Sequence, residues 1–398
     1  MQDKGAERPS RVESIDIFRG LNVLLMIFVD NLGFVAGLPW WTNHMPREAN
    51  GMTYVDMVFP AFLFLMGMSI PLALDQRMAR QRSKARLWGH VLLRSLTLVA
   101  LGLFISNAPQ VDAKHTGSTS ETWTILGFLS IFLACAHYPE GRGKSTFYRL
   151  LRIVGGVLFF GLMTIFRRVT ADGRVAWLDF SDWEILGLLG WAYLLVTGLY
   201  LLFRKRLAPL IVALVVLVTI NTISVAGRLA WMNHWPPIAK PFEAGLSSIT
   251  LAGLLTALIF LDDKFAPTFR EKTRWALTSA AVFFGGAFAL RPFGISKIRD
   301  TPSWCLYCIS ANILIFWLLY WVADKNGNSR WAWFAKPIGS NALLAYFLPY
   351  VAYLTSAGWH LTAGGTSGWY GVIRAALFTS FIWAVVMILS QFRFKLQL

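Results

Sequence analysis

The chain has 398 residues, of which 56% are hydrophobic, 15% aromatic and only 15% charged, and its mean hydropathy is +0.52. That composition excludes an ordinary soluble domain and identifies an integral membrane protein. The formal net charge of +16 does not signal nucleic-acid binding, because the Lys and Arg residues sit in short loops between apolar runs, the arrangement the positive-inside rule produces.

A membrane span needs about 20 apolar residues. Apolar runs predict helices over 18–38, 55–74, 88–107, 123–139, 150–166, 183–203, 207–227, 244–262, 275–291, 303–323, 337–356 and 371–390. The expectation is an all-α polytopic membrane protein with about 12 transmembrane helices, within a range of 10–12. The first run is too long for a cleavable signal, has acids as well as bases in its flank, and has no small-residue cleavage site before His44. Loops assigned to the cytoplasm hold 25 Lys and Arg residues and the opposite set 10, so both termini are expected in the cytoplasm and His44 outside. No soluble domain or internal repeat is visible, and residues 1–398 read as a single transmembrane domain. Cys135, Cys305 and Cys308 all fall in apolar runs; they read as buried small hydrophobes, and neither a disulfide framework nor a metal site is expected.

Candidate functional residues follow in chain order. Asp16 and Arg19, spaced i,i+3, can pair where the first span leaves the cytoplasm. Asp30 and Asn31 interrupt the first run at its outer end, and an ionisable group inside a span is a functional hypothesis by default. The two project about 100° apart on a helix, so one site cannot receive both; for Asn31 an interhelical hydrogen bond is the competing reading. In the outward loop, Trp40 and Trp41 either anchor at the interface or form an apolar platform for a sugar ring. His44 follows them. A histidine side chain can take a proton from an incoming amine or hydroxyl or accept an acyl group. Asp56 suits the positive end of the second helix and is expected to cap it in preference to orienting His44. Arg94, a third of the way into the third span, can meet an anionic ligand or snorkel to the headgroups. On the outer side Glu243, Lys297 and His360 are loop groups near span ends. Asn341, in Pro337-Ile338-Gly339-Ser340-Asn341, permits close helix contact or a donor to a ligand carbonyl.

The ordered set Ser14-x-Asp16-x-Phe18-Arg19-Gly20-Leu21, then Asp30-Asn31, then His44, then Asp56-x-Val58-Phe59-Pro60-x-Phe62-x-Phe64-x-Met66-Gly67 resembles the heparan-α-glucosaminide N-acetyltransferase family and its bacterial relatives, within the transmembrane acyltransferases. Arg94-Ser95 with Gly102 and Asn107, Lys297 before Pro302-Ser303-Trp304-Cys305-Leu306, and Gly339-Ser340-Asn341 extend the resemblance, and residues 14–69 form its core. It implies transfer of acetyl from cytoplasmic acetyl-CoA, as co-substrate, to an amino sugar or glycan on the outer side, with His44 as the key residue. Asp30 and Asn31 complete the implied catalytic group. Arg19, Arg94 and Asn341 are then assigned to the donor and Trp41, Glu243 and Lys297 to the acceptor; no metal is implied.

The chain also departs from the family's pattern. Asp30 stands where the family has an asparagine, with Asn31 one residue away. The family's Gln-Arg pair is missing from Ile125-Leu126-Gly127-Phe128, residues 183–227 look like an additional helical pair, and the animal enzyme's lumenal domain is absent. The last point and the short N-terminus favour a bacterial inner membrane, and the family suggests a homodimer. A proton-coupled secondary transporter of a small solute is the alternative, since Asp30 or Arg94 within helices would suit one.

Overall fold

A computed structural model describes residues 12–80, 83–138, 145–231, 244–355 and 367–396. Its helices are α1 (Glu13–Leu32), α2 (Val58–Arg80), α3 (Lys84–Asn107), α4 (Ala113–Thr116), α5 (Ser120–Cys135), α6 (Ser145–Ile165), α7 (Glu184–Phe203), α8 (Leu207–Val225), α9 (Ala244–Leu261), α10 (Phe269–Ala289), α11 (Pro302–Tyr320), α12 (Lys336–Ser340), α13 (Ala342–Thr355) and α14 (Gly368–Gln391). Each stretch expected to be helical contains a helix among the described residues, with different bounds. A small antiparallel hairpin, β1 (Arg168–Val169) with β2 (Val175–Ala176), joins α6 to α7. Among the described residues, eight helices are long and apolar enough to cross a membrane, namely α2, α3, α6, α7, α8, α9, α11 and α14. The helices α5 and α13 are shorter apolar segments, whereas α1 and α10 match the others in length and carry charged residues toward their ends.

Two buried apolar clusters fill the bundle. One is built mainly on α2, α7, α8, α9, α10 and α11, the other on α1, α3, α5, α6, α13 and α14. Much of the apolar surface of α6, α8 and α14 faces outward, which suits helices bathed in lipid tails. Small residues set the tightest crossings, as they do where apolar solvent removes the hydrophobic drive between helices. A Cβ on Gly67 of α2 would lie 1.8 Å from the Thr250 carbonyl of α9, and one on Gly253 of α9 would lie 2.0 Å from the Phe64 carbonyl. Likewise a Cβ on Gly20 of α1 would lie 2.0 Å from the Ala335 carbonyl, next to α12.

Among the boundaries that differ from expectation, two position candidate residues. The first helix was expected to reach residue 38 but stops at Leu32. Gly37 adopts φ +74°, Pro39 follows, and the Ala36 carbonyl accepts from Gly368 N at 3.0 Å, which ties the segment to the start of α14. Asp30 and Asn31 therefore occupy the last turn of α1. The helix expected over 337–356 is split at Asn341, whose φ of −132° is not helical. Its buried amide donates to the Phe394 carbonyl at 2.9 Å, and its Oδ1 accepts from Leu396 N at 3.2 Å. At the other end of α1, both carboxylate oxygens of Asp324 accept from the first backbone amides, Glu13 N at 2.9 Å and Ser14 N at 3.1 Å, satisfying two of the unpaired helix N–H groups.

Candidate functional site

The loop between α1 and α2 folds around the buried carboxylate of Asp56, whose residue is 1% exposed. Its Oδ2 accepts from Thr53 N at 3.0 Å and Met45 N at 3.3 Å, and its Oδ1 meets His44 Nδ1 at 2.7 Å. A carboxylate can only accept, so the proton of a neutral His44 sits on Nδ1 and Nε2 carries the lone pair. The His44 side chain is 45% exposed. Here the sequence expectation for Asp56 is corrected. It sits in the short turn Val55–Met57 before α2 and, with its carboxylate turned back into the loop, orients the histidine in preference to capping the helix.

A second loop supplies a cation. Gly51 N donates to the Ile295 carbonyl at 2.9 Å and Ile295 N to Asn50 Oδ1 at 2.8 Å, docking the segment before α11 onto the His44 loop. Ser296 N donates to Thr301 Oγ1 at 2.9 Å, and Trp304 Nε1 to the backbone carbonyl of Asp56 at 3.3 Å. These bonds carry Lys297 Nζ to 3.3 Å from Nε2 of His44 and 3.5 Å from Nδ1. Burial pushes the Lys297 ammonium below the usual lysine value, and the charges of Asp56 and Asp30 act in the opposite direction. Asp30 is exposed and interacts electrostatically with both His44 and Lys297. Asn31 is buried and turned away: its amide donates to the Ile27 carbonyl at 2.7 Å, and Oδ1 accepts from the Tyr353 hydroxyl of α13 at 3.0 Å. Of the adjacent pair, then, Asn31 makes the interhelical bond, and Asp30 is the one whose charge acts on His44 and Lys297.

Trp41 is 51% exposed and packs at a tilt against Tyr54, with ring centroids 6.2 Å apart, on the same loop as His44. Glu243 and His360 lie outside the described residues.

Toward the other end of α1 a cavity of about 430 Å³ opens among α1, α2, α3, α7, α12 and α13. Its polar lining includes Arg19, Ser69, Arg94, Ser340 and Tyr346, set in Leu, Ile, Met and Phe side chains. Arg19 is fixed by Asp16 Oδ1 at 3.3 Å, the Gly339 carbonyl at 3.3 Å and Ser69 Oγ at 2.8 Å. The Arg94 guanidinium lies 4.9 Å over the Tyr193 ring, and its buried Nε has no hydrogen-bond partner among the described residues. Asn341 is committed to the chain's tail, and its neighbours Ser340 and Ala342 line the cavity in its place. Tyr346 donates to Glu184 Oε1 at 2.6 Å and lies 3.3 Å from the Tyr350 hydroxyl.

Sequence reasoning brought His44 and Lys297 forward separately, and the structure brings them into contact, with Asp30 near enough to act on both electrostatically. It missed Thr53, Glu184 and Tyr346. Glu184, a carboxylate opening an apolar run, carried the signal that singled out Asp30 and Arg94; the roles of Thr53 and Tyr346 depend on loop and helix packing that no spacing reveals.

Residues 11–225, more than half the chain, match the family described as a domain of unknown function, DUF5009. The chain is also 41% identical over 99 residues to human heparan-α-glucosaminide N-acetyltransferase and 40% identical over 98 residues to the mouse protein. Each alignment covers 25% of this chain and 14% of the relative. These matches support a distant relationship to that family, over a stretch that is a small part of the relatives' length.

Proposed function

This chain belongs to the DUF5009 family, and from that premise we propose that it is a membrane acetyltransferase that moves acetyl from cytoplasmic acetyl-CoA to an amino sugar or glycan amine on the opposite side. The observation that carries this reading is the Asp56–His44 pair. Its 2.7 Å bond puts the ring proton on Nδ1 and leaves Nε2, beside Lys297 Nζ, as the basic nitrogen of a half-exposed side chain. Such an imidazole suits a general base or a transient acetyl carrier.

The donor would enter from the Arg19 end. Arg94 and Arg19, in the cavity of about 430 Å³, suit the phosphates of the nucleotide, and the apolar walls suit a thin pantetheine arm. From Arg19 to Asp30 the rise along α1 is about 16 Å, the depth such an arm has to cross. At the His44 end, Nε2 takes the proton of the acceptor amine as it attacks the thioester carbonyl, or Nε2 takes the acetyl first. Lys297, beside Nε2, supplies positive charge for the developing oxyanion. Asp30 holds the acceptor's ammonium, while Trp41 and Glu243 contribute to the sugar site. Twelve spans, both termini in the cytoplasm, an inner-membrane location and a homodimer complete this reading.

Purified protein incubated with acetyl-CoA and glucosamine tests it. Acetylated sugar should form, and the rate should fall at least about 10³-fold in His44→Ala. Uptake of a solute into vesicles with no acetyl donor, and no transfer, would support a transporter.

A further inference from the structure

Lys297 Nζ and His44 Nε2 are 3.3 Å apart, a hydrogen-bond contact across which a proton can pass from the amine to the imidazole. An acetyl group brought to Nε2 for an external amine therefore arrives beside an amine that already belongs to the chain. Lysine is the chemically equivalent nucleophile once it has lost its proton. Two carboxylates stand against that loss, because both Asp56 and Asp30 favour the charged ammonium, and an ammonium has no lone pair with which to attack. Burial works in the other direction. The placement is built into the fold: the Asn50–Ile295 and Gly51–Ile295 bonds hold the two loops together, and Thr301 secures the segment that carries Lys297.

We propose that Lys297 is an internal acetyl acceptor, modified through His44 when acetyl donor is present and the acceptor amine is not. The proposal rests on the acetyltransferase reading above. The step balances without any further reactant. The Lys297 ammonium gives one proton to solvent by way of Nε2 of His44. Its nitrogen then forms a bond to the acetyl carbon as the carbon–sulfur bond of the thioester breaks. The second amine proton passes to the leaving thiolate, giving an N-acetyl lysine and free CoA thiol. The product is neutral, so the site loses the cation beside His44, and a chain so modified transfers acetyl more slowly. Donor turnover without acceptor is thereby self-limiting.

The test uses the full-length protein in detergent, deuterium-labelled acetyl-CoA, and peptide mass spectrometry, with and without glucosamine. The expected result is a single labelled acetyl on Lys297 that builds up in the absence of glucosamine, is at least about tenfold lower in His44→Ala, and is accompanied by loss of transfer activity. His44→Gln, which keeps a polar side chain in the loop, serves should the alanine variant fail to fold. Label on the sugar with none on Lys297 would overturn the proposal and leave the acetyltransferase reading standing. Equal label on Lys297 with and without His44 would also overturn it, as uncatalysed acetylation. Label on neither sugar nor Lys297 would remove both.

Discussion

Lys297 Nζ lies 3.3 Å from Nε2 of His44, although the two residues are 253 positions apart in the chain. The contact joins the loop before α2 to the loop before α11. It sets a cation beside the imidazole, nearly equidistant from its two nitrogens, while the Asp56 carboxylate meets Nδ1. The bond to Asp56 defines the tautomer of a neutral ring, with Nε2 as its basic nitrogen.

Asp56 acts through His44 and is a positioning residue, so its loss should appear in turnover and not in donor affinity. Asp56→Asn should reduce kcat about 10²- to 10⁴-fold while KM for acetyl-CoA stays within about twofold. Steady-state kinetics checks this. A raised donor KM with unchanged kcat would show that Asp56 only shapes the loop.

Lys297 should leave a signature in the pH dependence of stability. Its folded value is depressed, burial being the largest cause, whereas the unfolded lysine keeps its proton to near 10.5. Between those two values the unfolded chain binds more protons, so this group makes stability rise with pH. The cost of its charge is fully present below the folded value and gone above 10.5. Lys297→Met should therefore be more stable than the parent at neutral pH, with the gap closing as pH rises through that window. Thermal unfolding across the range measures it, and a gap that does not change with pH would contradict the assignment.

The cavity makes a separate claim. Arg94, stacked on Tyr193 with its Nε unbonded among the described residues, is set to bind an anion. Arg94→Ala should raise KM for acetyl-CoA by about 10- to 100-fold, as expected for losing charge-assisted hydrogen bonds, and should leave the KM of the amine acceptor unchanged. Arg94→Lys should recover only part of this, because the ammonium cannot reproduce a fork of donors.

Helix packing can be tested without any substrate. Gly67→Ala drives a methyl group against the Thr250 carbonyl, a backbone atom that cannot swing aside. The cost should be about 1–3 kcal/mol or more, seen as a lower Tm in detergent. Gly156 in α6 has nothing within 4 Å of where its Cβ would sit, and Gly156→Ala should be neutral or mildly stabilising.

The helices were legible in the sequence because lipid imposes long apolar runs, and a run such as 244–262 has no other reading. The end of α1 was less so. Hydropathy continues through Phe34 and Val35, while Gly37, Pro39 and the bond from Gly368 stop the helix at Leu32. Of the site, the 100° step between Asp30 and Asn31 correctly implied that they face different neighbours, but it could not say which neighbour each would find. The role of Asp56 was misjudged because its position before a helix suits a cap equally well. Only the fold of residues 44–56, with Thr53 and Met45 donating to the same carboxylate, decides for His44. Lys297 reaches the site through loop-to-loop hydrogen bonds, a relation that local sequence does not encode.

The central claim is that acetyl crosses from the Arg19–Arg94 cavity to His44. Proteoliposomes with glucosamine sealed inside and acetyl-CoA added only outside test it most directly, read as acetylated sugar in the lumen. Wild-type protein should acetylate the trapped sugar, and His44→Ala should not. Acetylation only when donor and sugar share one compartment, or transfer that survives loss of His44, would contradict the account.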